Sequence, residues 1–309
     1  MRVIAKTGKN DLAMVYITET NDNKMIEFVE SIQPPFSREE KWVFIISTLY
    51  GCPVKCRFCD AGTYYSGKLS EDDMFFQIKY LIKTRYDFNN IPVKRLKIQF
   101  ARTGEPSFNM NVIKVIEELP DIHKNIMPSL STIAPVNREE FFDKLMAKKK
   151  MKFRKNFQLQ FSIHTTDERQ RDLLIPIKKW SFKKISRYGE KFFDNNGRKI
   201  TLNFALSENS IIDKRVLIDN FSPEYFLIKL TPINPTFQAQ KNGLISDFFS
   251  SKINSIIENI KDSPFEVIES IGELEENHIG SNCGQYINTL KFGKELNDGY
   301  TYEIKKINY

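Results

Sequence analysis

The chain has 309 residues, 41% of them hydrophobic, a formal net charge of +7 and four cysteines. That is enough apolar material for one large core, or a barrel with a small appendage, and the cysteines are too few and too clustered for a disulfide framework. The N-terminal MRVIAKTGKND lacks the apolar centre of a signal peptide. No run approaches the ~18 apolar residues of a membrane span, so a cytoplasmic protein without a membrane partner is expected. The positive charge is compatible with an anionic partner such as RNA.

Residues 1–40 read as a small N-terminal β extension. LAMVYITE and KMIEFVES alternate apolar and polar residues, and Asn21-Asp22-Asn23 between them signals a turn. The β-branched run Val43–Leu49 reads as a buried strand. Strands and helices then alternate. A helix opens at Ser70 with acidic residues in its first turn and runs to about Arg85. Strands are expected at 94–101, 129–135, 157–164, 199–208, 225–233 and 265–270. Helices are expected at 109–119, 137–149, 181–194, 210–219 and 246–260. Repeated β-then-α order means parallel strands with right-handed crossovers. The expected fold is therefore α/β, a partial (β/α)6 barrel over residues 41–290, with 291–309 as a C-terminal tail.

The most informative segment follows the first barrel strand. In YGCPVKCRFCDAG, Cys52, Cys56 and Cys59 are spaced to wrap one face of a [4Fe–4S] cluster, and three ligands in place of four leave one iron open. Zinc would need a fourth Cys or His nearby, and His123 is far along the chain. The oxygen sensitivity of such a cluster also calls for a reducing compartment. A loop at the C-terminal end of a barrel strand is an active-site position. Other expected strand ends carry Gly104-Glu105-Pro106, Ser131-Thr132, Ser162-Ile163-His164 and Thr231-Pro232-Ile233-Asn234-Pro235. Singly these are ordinary loop residues. The densest positive run, Lys148 to Lys155, reads first as a solvated face and second as a nucleic-acid contact.

The cysteine spacing resembles that of the radical SAM enzymes, and the order of the remaining motifs resembles the RlmN/Cfr group of RNA methyltransferases over roughly residues 26–290. Cys52-Pro-Val-Lys-Cys56-Arg-Phe-Cys59-x-Ala-Gly62 resembles the group's cluster loop, Gly104-Glu105-Pro106 with Asn109 its GEPxxN, and Leu130-Ser131-Thr132 its LSTS run. Ser162-Ile163-His164, with Arg171-Asp172 and Ile175-Pro176-Ile177 downstream, resembles its SLH…RD…PI stretch, Asn234-Pro235 its WNP, and Cys283-Gly284-Gln285 its CGQ. The resemblance implies Cys52, Cys56 and Cys59 as cluster ligands. It implies Gly104, Glu105, Ser131, Ser162, Ile163, His164 and Asn234 as contacts for S-adenosyl-L-methionine, with Glu105 at the methionine ammonium. Cys283 would be the methyl carrier, methylated by one S-adenosylmethionine and activated by a radical from a second. Val29-Glu30-Ser31 resembles a VET-like run whose glutamate can act as a base, which makes Glu30 a candidate proton acceptor and Glu27 its competitor. A flavodoxin or ferredoxin would serve as electron donor.

Two departures stand against this pattern. The group carries a second reactive cysteine seven residues before the cluster loop, where this chain has Ile45, and its four cysteines are all accounted for. The group also has an N-terminal RNA-contacting region, which is expected to be missing here. The leading expectation is a methyltransferase acting on an sp² carbon, of RNA adenine or of a heteroaromatic small molecule, through an S-methylcysteine. Its alternatives are a radical SAM enzyme with a different reaction on a peptide or natural product, and a non-catalytic Fe–S RNA-binding protein. A redox-sensing cluster protein lacks the DNA-binding module it would need.

Overall fold

The alternating N-terminal runs become antiparallel strands, β2 (Ala13–Glu19) and β3 (Met25–Ile32), and a further strand, β1 (Arg2–Lys9), precedes them. The computed structural model describes residues 1–244, 246–247, 249–272, 274–281, 283, 285–293 and 300–307. There follow β4 (Trp42–Ile46), β5 (Leu49–Gly51), β6 (Tyr65–Lys68), α1 (Glu71–Lys83), β7 (Leu96–Phe100), α2 (Asn111–Glu118) and β8 (Ile126–Thr132). Next come α3 (Glu139–Lys148), β9 (Gln158–Ser162), α4 (Glu168–Leu174), α5 (Phe182–Phe192), β10 (Ile200–Leu206), α6 (Lys214–Asn220) and β11 (Phe226–Pro232). The chain ends with α7 (Phe237–Lys241), α8 (Ser251–Lys261), β12 (Glu266–Glu269), α9 (Leu274–Ile279), α10 (Tyr286–Phe292) and β13 (Lys305–Lys306).

These elements fall into two compact units. The first comprises Met1–Pro53, Asp60–Leu130 and Glu273–Tyr309, the second Val54–Cys59 and Ser131–Gly272. In the first, β13, β1, β2, β3 and β4 pair antiparallel in that order, with Val29 opposite Ile45, and β4, β7 and β8 continue in parallel. The expected N-terminal extension thus supplies strands to the same sheet as β4. In the second unit, β9, β10, β11 and β12 are parallel neighbours. All seven residues of β10 are buried, as suits an interior strand of a parallel sheet.

Element ends follow local chemistry. Ser70 caps α1 reciprocally: its hydroxyl accepts the Asp73 N–H at 3.0 Å and its own N–H reaches the Asp73 carboxylate at 3.2 Å. The expected strand Val43–Leu49 stops at Ile46 because the Ser47 N–H turns to the Gln77 side chain at 2.8 Å and the Thr48 N–H to the Thr103 carbonyl at 2.9 Å. The strand expected at 129–135 starts earlier, at Ile126, and ends at Thr132, whose hydroxyl accepts the Ala134 N–H at 2.9 Å. The short helices α4, α7, α9 and α10 go beyond the expected elements. Two of them are marked by caps, Asp167 and Thr236.

Helix α5 sits on its strands through a glycine. A Cβ on Gly189 would lie 2.4 Å from the ring of Phe226, which is fully buried. Gly189→Ala should therefore lower stability by about 1–3 kcal/mol through overpacking, against a helix-propensity gain of about 1 kcal/mol. A urea midpoint that falls with an unchanged slope is the expected reading.

Candidate active site

Parallel strands deliver their C-terminal ends to one edge of a sheet, and Gly104-Glu105, Ser131, Ser162-Ile163-His164 and Asn234 lie at or just past such ends. In the second unit, β9 ends at Ser162, where the N–H groups of Ile163 and His164 both donate to the Asn203 carbonyl, at 2.9 and 3.1 Å. His164 takes a left-handed φ of 66°, and its Nδ1 accepts the Ala205 N–H at 3.1 Å. That bond leaves the ring neutral with its proton on Nε2. Burial, aided by the Arg171 charge, pulls its pKa down to about 3. Ser131, near the end of β8, accepts the Gln160 amide at 3.2 Å. Asn234, just past β11, is half-buried, and its carbonyl accepts the Thr236 N–H at 2.7 Å.

The segment with Cys56 and Cys59 is fastened to this edge. The Arg57 N–H donates to the Leu174 carbonyl at 2.9 Å. The Arg57 carbonyl accepts from Asn242 at 2.8 Å and the Phe58 carbonyl accepts the Thr236 hydroxyl at 2.8 Å. The Phe58 ring meets the His164 ring edge-on at 4.7 Å between centroids and packs against Ala205, Ile233 and Ala239. The phenylalanine before the third cysteine is thus an anchor for the cysteine turn, in which the Cys59 N–H donates to the Cys56 carbonyl at 3.1 Å.

In the first unit, Cys52 lies directly after β5, buried, with its N–H on the Tyr64 carbonyl at 3.0 Å. Gly104 has φ 99°, and a Cβ there would lie 2.5 Å from Leu49, so glycine is required. Glu105 is buried and accepts both the N–H and the hydroxyl of Ser107, at 3.1 and 2.7 Å. Asn109 donates to the carbonyls of Thr48 and Leu69, both at 2.8 Å, which ties the glycine turn to the end of the first parallel strand. Cysteine sulfur is a soft donor of the kind that iron–sulfur clusters take, and no two of the four cysteines are joined as a disulfide. Among the described residues, no three His, Cys, Asp or Glu side chains are gathered as a metal-binding group.

Cys283 is exposed, in a turn between α9 and α10. Gly284 of its motif lies outside the described residues, as do 294–299 and 308–309 of the expected tail. The turn is held on both sides. Arg102 donates to the carbonyls of Gly280 and Ser281, each at 2.9 Å, and pairs with Glu27 at 2.5 Å, both side chains wholly inaccessible. Glu27 also accepts the Ile287 N–H at 2.6 Å. Burial pushes the Glu27 carboxyl above its ordinary value, while Arg102 and the Ile287 amide pull it back. The side chains of Thr103 and Gln285 bond each other at 3.2–3.3 Å. Ile45 packs against the same apolar cluster as Val29, Ile279, Tyr286 and Ile287. Glu30 points to the other face of β3, where Arg85 pairs with it at 2.5 Å and Tyr16 and Trp42 donate to it at 3.0 Å each.

The basic run has a different place. It lies at the C-terminal end of α3 and just before β9, at the edge of the second unit opposite the site residues. Lys149 is buried, donating to the Phe192 carbonyl and to Asp194 at 2.6 Å each. Its role is to tie the ends of α3 and α5 together, and cations at a helix C-terminus also suit the helix dipole. Two residues of the site region were not singled out from sequence. Arg102 stood in ARTGEP without a role, and Asn203, the lone amide in ITLNFAL, is buried with an Oδ1 that has no hydrogen-bond partner among the described residues. An isolated polar residue in an apolar strand was the available signal for the latter.

No protein-family model matches the chain. It is 28% identical over 283 residues to a probable dual-specificity RNA methyltransferase RlmN of Chlorobium phaeobacteroides, covering 87% of this chain and 72% of the relative. To the protein of the same name in Pseudothermotoga lettingae it is 29% identical over 267 residues, covering 83% and 73%. Its fold is similar to the crystal structure of a radical SAM methyltransferase from Sphaerobacter thermophilus, with a TM-score of 0.67 at 18% identity, over 92% of this chain and 80% of that one. No helix among the described residues is long and apolar enough to cross a membrane. Along most of its length the chain is thus similar in sequence to proteins named dual-specificity RNA methyltransferase RlmN, and in fold to a radical SAM methyltransferase.

Proposed function

We propose that the protein methylates an sp² carbon, of an RNA adenine or of a heteroaromatic small molecule, using Cys283 as methyl carrier. The observation that carries this reading is positional. Gly104-Glu105, Ser131, Ser162-Ile163-His164 and Asn234 each stand at or just past the C-terminal end of a parallel strand, which is where α/β enzymes place their site residues. An RNA substrate is supported by the similarity to proteins named dual-specificity RNA methyltransferases. The barrel segment is taken as 41–290, with 1–40 as extension and 291–309 as tail. When bound, a [4Fe–4S] cluster held by Cys52, Cys56 and Cys59 and S-adenosylmethionine supply a 5′-deoxyadenosyl radical, with an external flavodoxin or ferredoxin as electron donor.

The chain's own groups have separable tasks. Phe58 keeps the Cys56–Cys59 turn against His164, and His164 offers a neutral Nε2–H. Glu105, Ser131, Ser162, Ile163, Asn234 and Gly104 are the proposed contacts for S-adenosylmethionine. Cys283 is the proposed methyl carrier, and it is exposed. Glu30 is the proposed proton acceptor, held in place by Arg85, Tyr16 and Trp42. A second reading, a radical enzyme with another reaction, draws on Ile45: an apolar side chain stands where the related group has a second reactive cysteine.

Peptide mass spectrometry on anaerobically reconstituted protein given S-adenosylmethionine and a reductant tests the carrier. Added methyl on Cys283, absent from Cys283→Ala, is expected; an unmodified Cys283 beside abundant 5′-deoxyadenosine would overturn the methyltransferase reading in favour of the second. Phe58→Ala should leave the fold intact while lowering iron and sulfide retained after reconstitution at least fivefold, read by absorbance and metal analysis. His164 gives a pH prediction. Its pKa is depressed on folding from about 6.5 to about 3, so below pH 6.5 the unfolded chain binds the proton and the folded one does not. That imbalance should remove about 2 kcal/mol of stability between neutral pH and pH 5. His164→Gln, followed by urea unfolding, should flatten that acid limb.

A further inference from the structure

We infer that the buried Arg102–Glu27 pair is a positioning device for the Cys283 turn, a role that rests on the reading of Cys283 as methyl carrier. Turns outside helices and strands leave backbone groups that must find partners when buried. Ser281 is fully buried, and a guanidinium is the side chain that can serve two carbonyls and a carboxylate at once. Arg102 does this: one nitrogen, Nη1, takes the Gly280 and Ser281 carbonyls and the other, Nη2, takes Glu27. Glu27 completes the loop of contacts by accepting the Ile287 N–H.

The consequence for Cys283 is geometric. It stands two residues after Ser281 and two before Gln285, and both are held, Ser281 by Arg102 and Gln285 by Thr103. Two residues of chain reach no more than about 7 Å, so the Cys283 Cα is confined to that distance from each. Arg102 and Thr103 are also the two residues before Gly104-Glu105, the proposed contact for the methionine ammonium. One short stretch after β7 therefore sets the placement of the methyl carrier and carries the proposed cofactor motif. The same loop of contacts reaches Tyr300, whose phenol donates to Asp60 at 3.4 Å and whose ring packs against Gly280 and Tyr286.

The test uses the full chain with Arg102→Met and with Arg102→Met/Glu27→Met, the second filling the space of the pair with apolar side chains. Hydrogen exchange read by mass spectrometry should show the amides of 279–287 exchanging at least tenfold faster in both, with those of β1 and β2 within twofold of the parent. On reconstituted protein, the ratio of Cys283 methylation to 5′-deoxyadenosine should fall at least tenfold. Unchanged exchange at 279–287 would overturn the inference. So would an equal rise across β1, β2 and 279–287, which marks a pair serving general stability, and so would a methylation ratio that stays within twofold. If the parent protein takes no methyl at Cys283, the carrier reading fails, and exchange alone decides whether the pair holds the turn.

Discussion

Two opposite charges with no access to water, Glu27 in β3 and Arg102 just past β7, pair in the first unit, and the C-terminal segment is organised around them. Burying an ion pair costs several kcal/mol per charge in desolvation, and mutual attraction offsets this only when further hydrogen bonds complete the shell. Here backbone groups of residues 280, 281 and 287 serve the Arg102 Nη1 and the Glu27 carboxylate, while the Arg102 Nε has no hydrogen-bond partner among the described residues. The pair is satisfied only while that segment is in place, and the segment is held only while the pair is intact. This mutual dependence explains why residues far apart in sequence, Glu27, Arg102 and Ile287, belong to one unit.

The second unit solves a similar problem with neutral groups. A cysteine turn has no regular structure to satisfy its backbone, yet it must hold its thiols in a fixed arrangement. Arg57 and Phe58 hand their backbone groups to Leu174, Asn242 and Thr236, and the Phe58 ring fills the space between His164 and Ala239. Thr236 does double duty: its hydroxyl accepts the Ala239 N–H as the cap of α7 and donates to the Phe58 carbonyl. The helix start and the cysteine turn are thus fixed by one oxygen atom, which couples the end of β11 to the loop.

Much of this was legible in the chain. The period-two and apolar runs located most of the parallel strands, because a strand buried on both faces must be apolar throughout, as β10 is. The cysteine spacing and the small polar groups at strand ends mark the candidate site. Strand ends were misjudged wherever a carbonyl or amide found a distant partner: Ser47 with Gln77, or Ile163 and His164 with Asn203. Such bonds are long-range and leave no periodic trace. The part played by Arg102 was hidden for the same reason, since its partners are backbone carbonyls 178 and 179 residues away. Lys149 shows the converse error, a lysine in a basic run that is buried and paired rather than solvated.

The two glutamates of β3 separate on the same logic. Side chains three apart on a strand point to opposite faces, so Glu27 and Glu30 cannot share a role. Glu30 is picked out by its resemblance to a VET-like run, and its surroundings are those of an ion pair under α1: Arg85, Tyr16 and Trp42 all donate to it. To take a proton from a substrate it must first shed one of these donors. Glu27 lies on the face that meets the Cys283 segment, and burial raises its affinity for a proton. It too is engaged, by Arg102. Protonating either carboxylate would forfeit charge-assisted bonds that hold it. Whichever carboxylate accepts a proton, the group that must move first is an arginine, and the local energetics of that step reside in Arg85 or Arg102 rather than in the glutamate itself.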